Sequence, residues 1–189
     1  MINLNWYVLF VMGGKEEKIC DFFKQENIHA FLPKMEVLYR KQGNFYPQEK
    51  LMFPSYVFIE SDLEHTAFHQ KLLDVKQKKK GIIKELKFDN EGTPALTQDE
   101  KELIEKLIGR NKVMKHSIGY IEGDQVIVTD GPLQGLESKI IKIDRHKRRA
   151  LIEIEMLGRI VNLNVSLEII KKIGLNTINP IYISKILSN

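Results

Sequence analysis

The residues best suited to chemistry are a run of basic side chains at positions 145–149. The run reads Arg145, His146, Lys147, Arg148 and Arg149, and it lies between two strand-like segments. Five basic or titratable groups on one turn repel each other, and a phosphate backbone relieves that repulsion with release of counterions. Arginine also stacks on, or forks to, an unpaired base. The run therefore favours nucleic-acid binding, and a solvated polar hairpin tip is the open alternative.

The charge is distributed unevenly along the 189 residues. Residues 1–109 contain 16 Lys and Arg against 17 Asp and Glu, a net of −1, whereas residues 110–189 contain 13 against 8, a net of +5. The overall net charge of +4 is too small to identify a nucleic-acid binder by itself. The excess in the C-terminal part points to a polyanionic partner there, or to a face kept charged for solubility.

Enzyme motifs are missing from the sequence. It contains no G-x-S-x-G, no P-loop, no G-x-G-x-x-G and no H-E-x-x-H. His65 and His69 lie four residues apart on a predicted helix, a spacing that can hold a metal, but no third ligand is evident nearby. We interpret them as an exposed pair on a helix face. We therefore expect a binding protein and not an enzyme, with no catalytic residues, metal or cofactor.

The N-terminal apolar run, Trp6 to Met12, bears on the compartment of the protein. It is too short to span a membrane, and it lacks the basic start and small-residue cleavage site of a signal peptide. The one cysteine, Cys20, fits a reducing environment. We expect a cytoplasmic monomer with no membrane partner.

The secondary-structure elements that position these residues fall into two parts, the first of which is residues 1–109. This part reads strand, helix, strands, helix, helix, which predicts an α/β sandwich of one antiparallel sheet with helices packed on it. The strand signals include Trp6–Val11 and Tyr56–Ile59. Thr97 and Glu100, three residues apart, predict a capping box at the start of the last helix.

Residues 110–122 have glycines near both ends and little periodicity, and they are predicted to be a linker. Residues 123–173 follow with five short strand-like segments, which close most simply into a small five-stranded β-barrel. Residues 174–189 form a tail that either packs on a domain or is disordered. The predicted fold class is therefore α+β. The predicted barrel strands are Gln125–Thr129, Lys139–Asp144, Ala150–Glu155, Arg159–Asn164 and Leu167–Lys171.

Two sets of motifs resemble those of a known family. The stretch "GDQVIVTDGPLQG" resembles the KOW motif, in which Gly131 and Gly135 reverse the chain at positive φ, although Ser138 replaces a later glycine. The stretches "NWYVLFVMGGKEEKI" and "LMFPSYVFIE" resemble the opening strand and the FPGYV strand of the NusG N-terminal (NGN) domain, with Ser55 replacing glycine. Both halves occur in the right order. The chain is thus similar to NusG-family transcription elongation factors, with an SH3-like KOW barrel.

The residue in the KOW turn suggests a subgroup. General NusG proteins carry an aromatic residue in the place of Leu133, which helps to bind Rho or a ribosomal protein. The smaller Leu133 and the basic hairpin make the sequence similar to specialised paralogs of the LoaP, RfaH or UpxY kind. The stretch "KGIIKELKFDNEGTPALTQDE" looks most like the LoaP group. This resemblance implies a role in processive antitermination.

The resemblance also implies an apolar depression on the first domain that binds the clamp of the largest RNA polymerase subunit. Strand alternation puts Tyr56 and Phe58 on one face and their neighbours on the other, so part of the candidate set must be core. Related paralogs touch a second polymerase loop where this chain has His65 and Thr66, and helix capping by Thr66 is the alternative. The candidate polymerase-binding residues are Tyr7, Phe53, Pro54, Tyr56, Phe58, His65 and Thr66.

The basic tip would bind a structured RNA hairpin in a leader and recruit the factor to chosen operons. A general NusG-like factor, whose barrel recruits a ribosomal protein or Rho, is the main alternative. A ribosomal-type RNA protein without polymerase contact is a third, and contact of the first domain with the non-template DNA strand stays open. The candidate RNA-binding residues are Arg110, Lys112, Lys139, Lys142, Arg145, His146, Lys147, Arg148, Arg149 and Arg159.

Overall fold

A computed structural model describes residues 4–87 and 96–173 of the chain. Within those residues the chain forms three α-helices and twelve β-strands. In chain order they are β1 (Asn5–Val11), α1 (Glu16–Gln25), β2 (His29–Phe31), β3 (Lys34–Lys41), β4 (Asn44–Leu51), β5 (Tyr56–Ser61), α2 (His65–Lys78), β6 (Ile82–Glu85), α3 (Gln98–Ile108), β7 (Val113–Met114), β8 (Ser117–Glu122), β9 (Gln125–Asp130), β10 (Ile140–Asp144), β11 (Arg149–Met156) and β12 (Arg159–Ile173).

Strand β1 is a central strand of the first sheet, whose order is β2-β5-β1-β6 and whose strands all pair antiparallel. Because side chains alternate along a strand, β1 contributes to two separate cores. Trp6 and Val8 lie in one buried cluster, and Tyr7 and Leu9 lie in the other. The apolar run near the N-terminus is therefore a strand buried on both faces, which its composition predicts.

Helices α1 and α2 cover the face of this sheet that carries Tyr7. Helix α1 inserts Phe23 into the cluster beneath it, and α2 inserts Phe68, Leu72 and Val75. The Tyr7 ring stacks on Phe68 with ring centroids 3.8 Å apart. The inward residues of α2 are those that helical spacing predicts.

Helix α3 begins with the predicted capping box. The Glu100 N–H donates to Thr97 Oγ1 at 3.3 Å, and the Thr97 N–H donates to Glu100 Oε2 at 2.8 Å. The apolar stripe of α3, which includes Ile104 and Leu107, packs into the same cluster as Trp6. The prediction of this helix start is confirmed.

The hairpin of β3 and β4 does not belong to the first sheet. It forms a separate three-stranded sheet of order β4-β3-β7, in which β7 pairs parallel with the start of β3. The α+β fold class predicted from the sequence is confirmed, but the expectation of a single sheet in the first part is corrected. Strand β4 is exposed along most of its length, so its sequence has no buried face to show which sheet it joins.

The C-terminal sheet has five strands in the order β10-β11-β12-β8-β9. Its strand β8 (Ser117–Glu122) lies inside the stretch predicted to be a linker, as does the short strand β7 (Val113–Met114). The linker prediction is therefore corrected for both strands. The linker prediction rested on the glycines at the ends of the stretch and on its weak periodicity, and Gly119 inside β8 carries no side chain that could show strand alternation. A Cβ at this position would collide with the Ile127 carbonyl oxygen of the partner strand β9. Glycine is required there by close approach of two backbones, not by a turn.

Strand β12 unites two segments predicted as separate strands. It runs from Arg159 to Ile173, pairing antiparallel with β11 through Ser166 and parallel with β8 from Leu167 onward. One long strand therefore joins the two halves of the five-stranded sheet. The number of strands predicted for the barrel holds because β8 replaces the strand lost by this union.

The five-stranded barrel packs directly on the first domain. A single buried cluster contains Trp6 and Phe58 of the first sheet together with Ile152 and Val165 of the barrel. Hydrogen bonds join the two parts as well. The Leu38 N–H donates to Ser166 Oγ at 3.3 Å, and the Ser166 hydroxyl donates to the Glu36 carbonyl at 2.9 Å.

No helix in the parts of the chain that the structure describes is long and apolar enough to cross a membrane. The predicted C-terminal tail, residues 174–189, lies outside the described residues, as does most of the polar half of the stretch compared with the LoaP group.

Candidate nucleic-acid and protein interfaces

The basic run forms a tight turn between β10 and β11. The Lys147 N–H donates to Asp144 Oδ1 at 3.0 Å, and the Arg148 N–H donates to the Arg145 carbonyl at 3.3 Å. The hydrogen bond from the Lys147 backbone holds the pKa of Asp144 below its ordinary value. This turn presents Arg145, His146 and Lys147 to solvent.

The other two residues of the run point towards the first domain. The Arg148 guanidinium lies 4.0 Å from the ring centroid of Phe45 on β4, and its Nη1 lies 2.9 Å from Glu168 Oε1. The Arg149 guanidinium lies 6.0 Å from the ring centroid of Tyr39 on β3. The interpretation of the run as one solvent-facing patch is therefore corrected: three residues face outward and two contact the β3–β4 hairpin.

The remaining basic candidates do not join a single surface. Lys142 is exposed on β10, close to the turn, and together with Arg145 and His146 it lines an open cleft of about 510 Å³. Lys139 lies at the opposite end of β10, in a cleft that also contains Thr97 of the first domain. Five residues of strand span roughly 17 Å, so Lys139 and the turn are well separated.

Arg159 starts β12, two strands away from β10 and beside the end of β11 that is remote from the basic turn. Arg110 is exposed just after α3. Lys112 is engaged within the first domain, with its Nζ 2.5 Å from Glu60 Oε1 and 4.5 Å from the ring centroid of Trp6. The outward cluster is thus limited to Lys142, Arg145, His146 and Lys147.

The turn after β9 is built as the KOW resemblance implies. Gly131 has φ of +96°, and a Cβ there would lie 2.6 Å from the His116 carbonyl oxygen. The Leu133 N–H donates to Ser117 Oγ at 3.2 Å, and the Leu133 side chain is completely buried. Leu133 belongs to the cluster that joins the two domains. It is therefore not displayed to solvent in this arrangement.

Three candidates for the apolar depression, Phe53, Tyr56 and Phe58, share one face of the first sheet. Phe53, Tyr56 and Phe58 pack in or against the cluster beside the barrel, whereas Val57 and Ile59 lie in the cluster under α1 and α2. The alternation predicted for β5 is confirmed. Phe53 and Phe58 are buried, Tyr56 is half-buried and Pro54 is exposed.

Tyr7 lies apart from that group. Its side chain is fully buried on the opposite face of the sheet, and its hydroxyl donates to the Leu63 carbonyl at 2.7 Å. Burial raises the pKa of the Tyr7 hydroxyl. The placement of Tyr7 in the same surface depression as Tyr56 is therefore corrected: Tyr7 is a core residue beneath α2.

His65 and Thr66 occupy the first two positions of α2. The N-cap is Glu64, and it makes no side-chain capping bond, so the alternative that Thr66 caps this helix is wrong. Thr66 is exposed, but His65 is half-buried and faces Glu85 of β6, with 3.6 Å between His65 Nε2 and Glu85 Oε1. Glu85 could not be found from the sequence, since it lies 16 residues after His69 and only the pairing of β6 with β1 places it beside the two histidines.

The barrel occupies part of the surface around Tyr56. Tyr56 and Leu86 of the first domain line a cavity of about 120 Å³ together with Met156, Leu157 and Val161 of the barrel. Leu157 is in the turn between β11 and β12, and it is 95% buried although its φ is +54°. The tip of this hairpin therefore covers the apolar face on which the resemblance places a partner.

Comparison with known proteins agrees with this two-part architecture. Residues 4–108 match the family model described as transcription termination factor NusG, and residues 122–155 match the KOW motif. The first match covers more than half of the chain. The chain belongs to the NusG family. The chain is therefore a transcription termination/antitermination factor of this family, in agreement with the family resemblance of its sequence.

Individual NusG relatives are similar over nearly the whole chain. The transcription termination/antitermination protein NusG of Rickettsia felis is 26% identical, over 88% of this chain and 89% of its own length. The protein of the same name from Thermus thermophilus is 25% identical, over 84% and 92%. A solved structure titled "Domain interaction in Thermotoga maritima NusG" is 19% identical with a TM-score of 0.49, over 88% and 94%.

One departure from the NusG pattern has a clear structural consequence. Ser55, in the position where the FPGYV strand has glycine, adopts a left-handed conformation with φ of +68°. Its N–H donates to Glu16 Oε1 at 2.9 Å, and its carbonyl accepts from the Val11 N–H at 2.8 Å. The backbone keeps the glycine-type turn even though serine is strained there. Ser138 lies in a short 3₁₀ turn and is exposed.

Proposed function

We propose that this NusG-family protein binds RNA polymerase through its first domain and a structured leader RNA through the outward cluster of its barrel, and thereby supports processive antitermination. The observation that carries the RNA part is the exposure of Arg145, His146 and Lys147 on one turn, with Lys142 beside them. Neighbouring cations in solvent repel each other, and RNA phosphates would relieve this repulsion. The cytoplasm and a specialised, LoaP-like subgroup are part of this proposal.

The polymerase part rests on the apolar face around Tyr56. In the proposal, Tyr56 and Pro54 contact the clamp of the largest polymerase subunit, with Phe53 and Phe58 supporting them from below. The barrel hairpin that covers Tyr56 must then move aside before the clamp binds. A factor that binds the closed clamp more tightly than the open clamp favours elongation by differential binding alone. No catalytic group is needed for that effect.

A second candidate function, recruitment of a ribosomal protein or Rho, depends on Leu133. Its complete burial favours RNA over this alternative while the barrel is docked. Separation of the barrel from α3 would be required before Leu133 meets such a partner.

An RNA titration tests the proposal. The purified chain is titrated with a leader hairpin and with a scrambled-stem control at two salt concentrations. The test variant is Arg145→Ala/Lys147→Ala, because Arg148 and Arg149 contact the first domain and their removal would also disturb docking. If the two side chains each neutralise one phosphate, the slope of log K against log salt decreases by about 1.4 in magnitude for unpaired nucleotides and about 1.8 for a duplex stem.

The matched control is Lys18→Ala/Lys24→Ala, which removes two exposed cations from α1. This control should bind the hairpin like the unchanged protein. Equal loss in both variants would mean that only the total charge matters. Weak binding of both RNAs that salt abolishes would favour a factor recruited by polymerase or DNA.

A pull-down of core polymerase tests the polymerase part of the proposal. Tyr56→Ala should reduce the amount of polymerase bound, relative to the exposed control Tyr46→Ala.

A further inference from the structure

Three potential metal ligands converge where the start of α2 meets the edge strand β6. His65 and His69 lie one helical turn apart on the same face of α2, and Glu85 ends β6. His65 Nε2 lies 3.6 Å from Glu85 Oε1, and His69 Nδ1 lies 2.9 Å from Glu85 Oε2. One ligand atom from each residue lies within 4.8 Å of the other two.

The carboxylate of this group is buried without full compensation. The Glu85 side chain is 3% exposed. Among the residues that the structure describes, His65 Nε2 and Glu85 Oε1 are two of three buried side-chain polar atoms without a hydrogen-bond partner. A buried carboxylate oxygen and a buried imidazole nitrogen that face each other beyond hydrogen-bond distance are costly to leave unpaired. A cation between them would satisfy both.

We propose that His65, His69 and Glu85 bind a zinc ion. Two imidazoles and one carboxylate are a donor set that zinc accepts, with a fourth position left for water or an outside ligand. Zinc–ligand bonds of about 2.0–2.1 Å in a tetrahedron place the ligand atoms roughly 3.3 Å apart. The observed separations of 3.6 Å and 2.9 Å run to the two different oxygens of Glu85 and lie on either side of that value. One ligand atom from each residue must therefore move inward from separations of up to 4.8 Å to reach the ion.

The exposure of the two imidazoles gives the ion a path to the site. The His65 and His69 side chains are 26% and 43% exposed, whereas the Glu85 side chain is buried beneath them. Tyr7, the neighbouring buried phenol, already donates to the Leu63 carbonyl. The bound ion would tie helix α2 to the sheet edge.

Zinc binding is tested on the untagged full chain after removal of metals with a chelator. Zinc chloride is added in competition with a chromophoric chelator, and cobalt chloride is used separately to report ligand geometry by visible absorption. We expect one zinc ion per chain and an intense cobalt spectrum. At free zinc near one hundred times the dissociation constant, the melting temperature should rise by about 5–10 °C.

Ligand variants and a matched histidine control decide between sites. His65→Gln, His69→Gln and Glu85→Gln should each weaken zinc binding at least tenfold. His29→Gln should leave it unchanged, because His29 pairs with Glu60 on the same sheet, at 2.7 Å, but without a second imidazole. Melting curves in chelator show whether each variant is folded. His65→Gln is the decisive variant if Glu85→Gln unfolds the chain, since His65 makes no hydrogen bond through Nε2.

Two results would overturn the inference. Failure of the unchanged chain to bind stoichiometric zinc would mean that the imidazoles only balance the charge of Glu85. Stoichiometric zinc that survives all three ligand substitutions would place the ion elsewhere on the protein. Neither result depends on polymerase or RNA binding, so the zinc site and the proposed function are tested independently.

Discussion

The two faces of the first sheet are covered by different kinds of structure. The face with Tyr7 and Leu9 is closed by α1 and α2, which are connected to the sheet by short stretches of the same domain. The face with Trp6 and Phe58 is closed by α3 and by the C-terminal barrel. One face is a conventional domain core, and the other includes an interface between two domains.

A single strand therefore contributes both to the core of the first domain and to the interface with the barrel. Alternation along β1 and β5 sends every second side chain to each face. A substitution that changes one face is therefore always adjacent in sequence to residues that form the other face. The helix-covered face is closed by α1 and α2, which belong to the same domain as the sheet. The barrel-covered face carries half-buried Tyr56 and the cavity beside it, and a partner with a similar apolar surface would compete with the barrel hairpin for it.

The largest expected effect comes from the helix-covered face. Tyr7→Ala removes a fully buried ring that stacks on Phe68, and large aromatic-to-alanine changes in cores cost about 3–5 kcal/mol. We expect the free energy of unfolding in urea to fall by that amount, with loss of the first domain as a unit. The control Tyr46→Ala removes a ring that is 51% exposed on β4 and should change stability by about 0.5 kcal/mol or less.

A charge at the hairpin tip should open the other face without unfolding either domain. Leu157→Asp would bury a carboxylate beside Leu86 and Tyr56, and we expect the docked state to lose about 2–4 kcal/mol. Aspartate tolerates the φ of +54° at this position better than leucine does, so the turn itself should survive. Small-angle scattering should show a larger radius of gyration, and polymerase binding should increase.

Ile160→Asp is the matched control for that change. Ile160 lies three residues further along the same hairpin but is 70% exposed. It should leave both the scattering profile and polymerase binding unaltered. If Leu157→Asp extends the molecule but weakens polymerase binding, the barrel contributes to the polymerase contact and does not obstruct it.

Local signals in the sequence predicted most elements but not how they assemble. The capping box at Thr97 and the alternation along β5 depend on neighbours within a few residues, and both were predicted correctly. Strand β8 was missed within the predicted linker, because Gly119 is required there by a close backbone approach and has no side chain to show alternation. The docking of Arg148 on Phe45 depends on tertiary contacts between residues that are far apart in the sequence.

The candidate site was predictable to a similar degree. The basic turn was located correctly, yet its division into outward and docked residues follows from the position of the barrel on the β3–β4 hairpin. Glu85 was missed because it pairs with β1 and approaches α2 only through the sheet. Recognition of the family supplied the general function, but not these contacts.

A smaller effect is expected at the junction between β5 and the loop before it. Ser55→Gly relieves a left-handed conformation that costs a residue with a Cβ about 1–2 kcal/mol, and the added freedom of the unfolded chain offsets part of that gain. We expect a net stabilisation of about 0.5–1 kcal/mol in urea unfolding. The control Ser61→Gly, at the end of β5, should be neutral or destabilising. Destabilisation by Ser55→Gly would mean that the serine side chain contributes to this turn.

The smallest expected effect is a pH dependence of docking through Glu36. Burial raises the pKa of this carboxyl, but the hydrogen bond from Lys115 and the neighbouring His116 outweigh it and hold the pKa below the ordinary value. Lys115 Nζ lies 2.6 Å from Glu36 Oε1, so the pair joins β3 to the segment that enters the barrel. A carboxyl with a lowered pKa stabilises the folded state fully above its unfolded pKa.

That stabilisation is lost as the pH falls through the lowered folded value, because both states then bind the proton. The stability difference between the unchanged protein and Glu36→Gln should therefore be constant from neutral pH down to about pH 5 and shrink below it. Urea unfolding at a series of pH values measures this difference. Glu153→Gln, an exposed carboxylate change on β11, should show a smaller difference at every pH. A Glu36→Gln difference that grows on acidification would mean that Glu36 is held by burial and not by Lys115, and that the contact does not lock the barrel to β3.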